Sequence, residues 1–331
     1  MKAVALVSSG LDSLLAAKVV MDFGIDVHGV CFTFAFDSLS DKHKRGEIED
    51  LFRPIGMPLM VVDFTHEILT ILKDPQHGFG SGVNPCIDCH LSMFKSAKTM
   101  MDEMEAKFLV TGEVVGQRPM SQMKHTLFHI DKVSGLKRLI LRPLSAKLLP
   151  TTLPEEMGWV DREKLFGFSG RSRKAQIDLA RRLSISGFNP PAGGCILTEP
   201  NFSRRVKAFF SHRGKDRITA EELELCRLGR HFWPEEHLHV VVGRDESDNR
   251  ALETFKDGRW VFRAADTEKS PIVLASGLRG EDDRIIAAGI TARYCSRAVR
   301  TDVRIHYEGD GEEGILRVSP ISDTILERWR V

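Results

Sequence analysis

The feature that most constrains this chain is an alternation of two patterns over its first 145 residues. Val4–Val7, Val27–Phe34, Leu59–Phe64, Phe108–Thr111 and Leu139–Pro143 are short apolar runs, the mark of strands buried on both faces. Between them, Ser13–Phe23, about Lys42–Phe52 and Leu91–Glu105 carry apolar residues at helical spacing. Strand and helix in strict alternation predict an α/β fold built on a doubly wound parallel sheet. Such sheets bind ligands beyond the carboxyl ends of their strands. Three connections are expected there: Ser8–Ser13, the Gly/Pro-rich "DPQHGFGSGVNP" from Asp74 to Pro85, and "GEVVGQRPMSQMKHT" from Gly112 to Thr126.

After this first region (1–160) the character changes. Residues 161–234 are charged and helical and are interrupted by "GFNPPAGGC", and from 235 to 331 short strands return around one helix-like stretch, as in a small α+β domain. At 331 residues with 42% hydrophobic composition the chain has room for several cores. No apolar run approaches the roughly 18 residues of a membrane span, and the N-terminus enters a strand and lacks a signal-peptide pattern. A cytoplasmic protein with no membrane partner is expected.

Net charge is +1, so bulk charge makes no case for nucleic acid. Its distribution does. Lys and Arg crowd 162–182, including Arg171, Arg173 and Lys174, and again 204–217, beginning with Arg204 and Arg205. Such blocks supply phosphate contacts or simply solvated helix faces. Of the six cysteines, Cys31, Cys226 and Cys295 read as core thiols. Cys86 and Cys89 form a C-x-x-C, and Cys195 follows alone in a Pro/Gly-framed loop; in a cytosolic chain this spacing speaks for chemistry before disulfides.

Ser8-Ser9-Gly10-Leu11-Asp12-Ser13 joins the first strand to the first helix with small side chains, one glycine and an N-cap in Asp12 or Ser13. Backbone N–H groups and the helix dipole at such a junction suit a phosphate. Neither G-x-x-x-x-G-K-[ST] nor a strand-following G-x-G-x-x-G is present.

This stretch resembles the S-G-G-x-D-S signature of the PP-loop ATP pyrophosphatases, with Ser9 in place of the first glycine. "TGEVVGQRPMSQ" (Thr111 to Gln122) and "LRPLS" (Leu141 to Ser145) resemble segments of the tRNA 4-thiouridine synthetases. Together these cover about the first 150 residues. The resemblance implies that Ser8, Ser9, Gly10, Leu11, Asp12, Ser13, Thr111, Gly112 and Gln117 bind ATP, with Asp12 near Mg²⁺-bound phosphates. It also implies that Cys86, Cys89 and Cys195 act in catalysis and hold a [4Fe–4S] cluster, as in iron–sulfur-dependent tRNA thiolases. A zinc site with His90 as fourth ligand and a persulfide pair are the rival uses of these thiols; the third cysteine favours the cluster.

"HVVVGRDESDNRALETF" and "GRWVFRAADTEKSPIVL" resemble the opening of an NFACT-R domain, an RNA-associated module. The implied function is ATP-dependent thiolation of a tRNA uridine to 4-thiouridine, with inorganic sulfide or a sulfur-carrier protein as donor. Lys147, Arg171, Arg173, Lys174, Arg204 and Arg205 are the candidate tRNA contacts. 2-Thiouridine synthesis is the alternative within the enzyme class, and a non-catalytic RNA-binding protein with a degenerate ATP fold is the alternative outside it.

Overall fold

The computed structural model describes residues 1–36, 42–186, 188, 195–266, 270–295 and 302–331, without the side chains of 42–45 and 47. Two compact units result, Met1–Cys195 and Ile196–Val331. The stretch 161–234, set apart by its sequence, is shared between them: Leu165, Leu179 and Ala180 pack in the first unit's core. Most of the "GFNPPAGG" segment lies outside the described residues.

The first unit runs β1 (Lys2–Leu6), α1 (Leu11–Met21), β2 (Asp26–Thr33), α2 (Lys42–Phe52), β3 (Leu59–Asp63), α3 (Thr65–Lys73), α4 (Cys86–Glu103), β4 (Leu109–Thr111), α5 (Lys124–Val133), β5 (Ile140–Leu141), α6 (Leu153–Glu156) and α7 (Lys174–Arg182). The five strands are all parallel, in the order β3-β2-β1-β4-β5. Ala3, Val4 and Ala5 of β1 and Leu109 and Val110 of β4 are almost wholly buried, which is why these strands read as unbroken apolar runs. Strand order reverses between β1 and β4, where Leu6 stands in register with Thr111. A crevice outside the carboxyl ends is expected at this reversal. The Ser8–Ser13 loop leaves from β1 and the Thr111–Gln122 segment from β4.

Two helices were not expected. α3 follows β3, so the Asp74–Pro85 connection leaves a helix and not a strand, and α5 takes up the end of the Gly112–Thr126 connection. The 74–85 connection still reaches the same region: a Cβ on Gly80 would stand 2.3 Å from Met120 Sδ. The His77 N–H and Nδ1 lie 2.9 and 2.6 Å from the Asp88 carboxylate of α4.

The second unit runs α8 (Pro200–Arg213), α9 (Ala220–Leu225), β6 (Arg230–Phe232), β7 (His239–Val242), α10 (Glu246–Leu252), β8 (Trp260–Ala264), β9 (Val273–Ser276), α11 (Glu281–Tyr294), β10 (Val303–Gly309), β11 (Glu312–Val318) and α12 (Asp323–Trp329). Its sheet, β11-β10-β8-β9-β7-β6, is antiparallel at every pairing. α11 buries Ala287, Ala288, Ile290 and Ala292 with Phe232, Val240, Phe262 and Ile305 of the strands. No helix among the described residues is long and apolar enough to cross a membrane.

Candidate active site

β1 ends at Leu6, and the loop that follows is tied by Ser13. Its Oγ lies 2.8 Å from the Gly10 carbonyl and 3.0 Å from that of Ser8, and accepts from the Ser8 N–H at 3.2 Å. Helix α1 therefore starts at Leu11 with Gly10 as its cap, and no side chain caps it. The expectation that Asp12 or Ser13 is the cap is corrected: both lie in the first turn, because the Ser13 hydroxyl is engaged with the loop. Gly10 is extended, at φ −81°, and Ser9 is not among the residues at positive φ. The loop thus needs no left-handed residue, and serine in place of the signature's first glycine costs no strain. What Gly10 supplies is room, since a Cβ would lie 3.3 Å from Ser8 Oγ. Leu11 sends its side chain into the core, so only its backbone can face a ligand. The N–H groups of this first turn have no helical acceptor, as at any helix start.

Asp12 anchors a second layer. Its Oδ2 accepts from Gln117 Nε2 at 2.6 Å and from Arg173 at 3.3 Å, and Gln176 Nε2 donates to Gln117 Oε1 at 2.9 Å. Arg173, expected as a tRNA contact, is turned in toward the loop. Asp12 Oδ1, Arg173 Nε and Gln176 Oε1 are buried without a hydrogen-bond partner among the described residues. A buried carboxylate oxygen without a donor is suited to a hard cation such as Mg²⁺, which takes one or two carboxylates alongside phosphates. Gly112 closes against the same loop: a Cβ there would stand 2.5 Å from the Asp12 carbonyl carbon and the Ser13 nitrogen.

The C-x-x-C lies in the first turn of α4, which begins at Cys86, five residues before the expected start. Cys86 and His90, four apart, share a helix face. Burial pushes the Cys86 thiol up, but a hydrogen bond and the positive charge of His90, with Ser121 and Arg118, bring it down to about 7. Burial likewise pushes His90 down, and the thiolate of Cys86 and carboxylate of Glu113 raise it to about 9. His90 Nδ1 is 3.4 Å from Glu113 Oε1. Glu113, raised by burial but held down by Arg142 and His90, falls to about 2. Arg142 Nε reaches Glu113 at 2.8 Å while its two terminal nitrogens bracket Asp131 at 2.7 and 3.0 Å, and Thr111 Oγ1 donates to Glu113 at 3.1 Å. A chain of paired charges therefore runs from Asp131 through Arg142, Glu113 and His90 to Cys86.

Cys89 is buried, and its thiol is pushed up by that burial and by the negative charges of Cys195, Cys86 and Asp88. The charges of Cys195 and Cys86 both act on Cys89, so each lies within electrostatic reach of it. No group of three or more His, Cys, Asp or Glu side chains among the described residues is arranged to hold a single metal ion. His90, the expected zinc ligand, is engaged with Glu113 and Cys86.

Of the remaining candidates, Lys147 donates to the Glu163 carbonyl at 2.8 Å, and Arg171 and Lys174 are exposed. Arg204 and Arg205 belong to the second unit, where Arg205 donates to the carbonyls of Cys226, Leu228 and Gly229. The sequence reading missed Glu113, Arg142 and Gln176 as site residues and took His90 only as a zinc ligand. The Cys86–His90 spacing was a legible signal; the other three are brought in by tertiary structure.

Residues 1–147 match the model of a family described as thiamine biosynthesis protein (ThiI), and residues 229–330 match that of the NFACT protein RNA binding domain. No curated protein matches the chain. Among solved structures it is similar to a 4-thiouridine synthetase in complex with RNA and bound ATP, with 22% identity and a TM-score of 0.44 over 60% of this chain. The chain spans 45% of the length of that protein. It is also similar to a predicted subunit of tRNA methyltransferase from Methanocaldococcus jannaschii, with 16% identity and a TM-score of 0.32 over 43% of this chain and 67% of that one. A third likeness is to the C-terminal part of the fibronectin/fibrinogen-binding protein from Streptococcus suis, with 12% identity and a TM-score of 0.27 over 74% and 94%.

Proposed function

We propose that this chain thiolates a uridine of tRNA at the expense of ATP, with 4-thiouridine as the product. The supporting observation is the Thr111–Gln122 segment, which joins two chemistries. Gly112 and Gln117 meet the Ser8–Ser13 loop at Asp12, while Glu113 and Ser121 meet His90 and Cys86. Activation and sulfur delivery must occur at one carbon atom, and this segment couples the residues for both.

A uridine carbonyl oxygen is a poor leaving group until it is adenylated. Backbone N–H groups of the first turn of α1, Leu11–Ser13, receive the pyrophosphate end of ATP, and Asp12 Oδ1 is the oxygen available to Mg²⁺. The uridine oxygen attacks the α-phosphate, the bond to pyrophosphate breaks, and amides at the helix start stabilise the departing charge. A sulfide then attacks the ring carbon with its own electron pair, and the carbon–oxygen bond breaks to release AMP. No oxidant is required. Cys86, Cys89 and Cys195 would hold a [4Fe–4S] cluster; with three protein thiolates, such a cluster leaves one iron open to an exogenous sulfide. Exposed Arg171 and Lys174, with Lys147 and the second unit's Arg204 and Arg205, are the proposed tRNA contacts.

The Cys86–His90 pair favours a second reading, in which the Cys86 thiolate takes the outer sulfur of a persulfide-bearing carrier protein, whose own thiol is the leaving group, and holds it as a persulfide. Its terminal sulfur attacks the ring carbon as AMP leaves. Cys89 then attacks Cys86 Sγ, freeing the thiolated base and leaving a Cys86–Cys89 disulfide that a dithiol must reduce.

Protein reconstituted anaerobically with iron and sulfide, then given ATP and tRNA, is expected to release AMP and yield 4-thiouridine on digestion of the RNA. RNA binding with neither product overturns the enzyme. A visible chromophore lost in each of Cys86→Ala, Cys89→Ala and Cys195→Ala supports the cluster. Colourless protein that forms product only when a sulfane-sulfur donor such as a persulfide-bearing carrier protein replaces sulfide, and that needs Cys86 and Cys89 but not Cys195, supports the persulfide.

A further inference from the structure

The second unit contains a recess of about 580 Å³ whose wall carries Arg204, Arg205, Arg230, Arg244 and Arg330. Glu327 is the one acidic side chain on that wall. The arginines come from separate elements: Arg204 and Arg205 from α8, Arg230 from β6, Arg244 from the turn after β7, and Arg330 from the residue that follows α12. Residues 200–213 of α8 lie outside the segment that matches the RNA-binding family model.

Their hydrogen bonds show what holds them. Arg244 is clamped on Asp248 at 2.5 and 3.0 Å, and Arg205 is fixed by the three carbonyls at the end of α9, with its buried Nε unpartnered. Arg230 lies 5.0 Å over the Tyr294 ring and donates to the Gly243 carbonyl at 3.4 Å. Arg204 and Arg330 are exposed, and neither forms an ion pair among those described. Five guanidinium groups against the Glu327 and Val331 carboxylates on the wall and the Asp248 clamp leave a net positive concavity. Like charges gathered in a concave space destabilise one another unless an anion occupies it. Guanidinium forks match phosphate oxygens bidentately, and a preformed wall of fixed arginines reduces the ordering cost of that match.

We infer that this recess is a phosphate site through which the second unit holds its RNA, with Arg205, Arg230 and Arg244 as the fixed wall and Arg204 and Arg330 as the arms that close on the phosphate. The inference rests on the reading that the chain binds tRNA, and it names the place and the chemistry of one contact. The recess takes a phosphate, either an internal diester of the strand or the terminal 5′ monoester.

The test is tRNA binding to the full chain by fluorescence anisotropy across a salt series, for the native protein and for the Arg204→Gln/Arg330→Gln variant. Thermal unfolding of both controls for the fold. Losing one phosphate contact is expected to weaken binding roughly tenfold and to reduce the slope of log affinity against log salt by about one. Arg204→Lys/Arg330→Lys, which keeps the charge but not the fork, is expected to keep the slope and lose part of the affinity. tRNA stripped of its 5′ phosphate that binds native protein as weakly as intact tRNA binds the glutamine variant assigns the recess to the terminal monoester. Unchanged binding by that tRNA assigns it to an internal phosphate. If native protein binds tRNA and the glutamine variant keeps both affinity and slope, the recess is overturned and the tRNA reading stands. If native protein binds no tRNA, the broader reading falls.

Discussion

The two units bury titratable groups in opposite ways. In the first, buried Arg142 and Glu113 and half-buried Asp131, His90 and Cys86 form a line in which each charge has a partner. In the second, His231 and His239, 1% and 4% exposed, face one another at 3.0 Å between Nδ1 and Nε2. Burial holds His231 down to about 3, with Arg205 adding to the effect, and holds His239 well below its ordinary value. The physical cost is the same in both places, the removal of charge from water. Where an opposite charge is supplied the group stays ionised; where none is, it stays neutral. The line of charges ends on Cys86 of the C-x-x-C, whereas the neutral pair stacks against Trp233, whose ring lies 4.2 Å from that of His239. Ionised burial is costly, and in the first unit the Glu113–Arg142 pair that bears it stands at the head of the line that ends on the Cys86 thiolate.

The contrast can be broken at Glu113. Glu113→Gln keeps the shape but removes the charge between Arg142 and His90, leaving Arg142 with Asp131 alone and His90 with Cys86 alone, and is expected to cost about 3–5 kcal/mol, measured by urea unfolding of the full chain. Adding Arg142→Met together with Asp131→Asn removes the surplus charge without stranding a carboxylate and should recover part of that loss. Loss below about 1 kcal/mol for Glu113→Gln shows that the line is not a set of buried ion pairs.

Acid gives the next largest effect and separates the units. His231 binds its proton at about 6.5 when unfolded and about 3 when folded, so the unfolded state holds more protons below pH 6.5 and stability falls as the pH falls. Between about pH 7 and pH 4.5 this amounts to roughly 2–3 kcal/mol for His231 alone, with His239 acting in the same direction. Glu113 has the other window: its stabilisation is full above its ordinary 4.5 and is lost as the pH falls toward about 2. Three of the four tryptophans, Trp233, Trp260 and Trp329, lie in the second unit, so their fluorescence should report unfolding at a higher pH than signals from the first. Coincident acid transitions at all probes remove the distinction.

The parallel sheet was legible because its strands are buried on both faces and its helices alternate with them. Helix starts were not: α1 and α4 are capped by Gly10 and Pro85 without any side-chain hydrogen bond, and the helical spacing marked starts at Ser13 and Leu91, two and five residues downstream. β5 is only Ile140–Leu141 where five residues were expected, since Pro143 has no N–H for a ladder and Arg142 turns to Glu113. In the site, the three cysteines and the Ser8–Ser13 loop carried local signals. The pairing of Glu113 with Arg142 did not, because the two are 29 residues apart and meet only once β4 and β5 are in register. Gln176 reaches Gln117 from 59 residues away and was equally hidden.

The smallest predicted effect tests the neutral half of the contrast. Removing one histidine of the pair leaves a buried ring nitrogen without a partner, so His239→Leu should cost about 1–3 kcal/mol at neutral pH. Removing both leaves no stranded nitrogen between them. The losses in His231→Leu/His239→Leu are then the ring contact with Trp233, about 0.5–1.5 kcal/mol, and the His231 Nε2 hydrogen bond to the Leu228 carbonyl, which Arg205 still serves, so the double variant should be close in stability to the single one. It should also have no histidine-linked loss on acidification between about pH 7 and pH 4.5, because neither state gains a proton there at these positions. Chemical denaturation of the full chain at both pH values, followed by tryptophan fluorescence, measures the two effects together. A double variant that keeps the native acid slope would place the slope elsewhere, and the second unit would then owe its acid response to exposed carboxylates and not to a buried pair kept neutral.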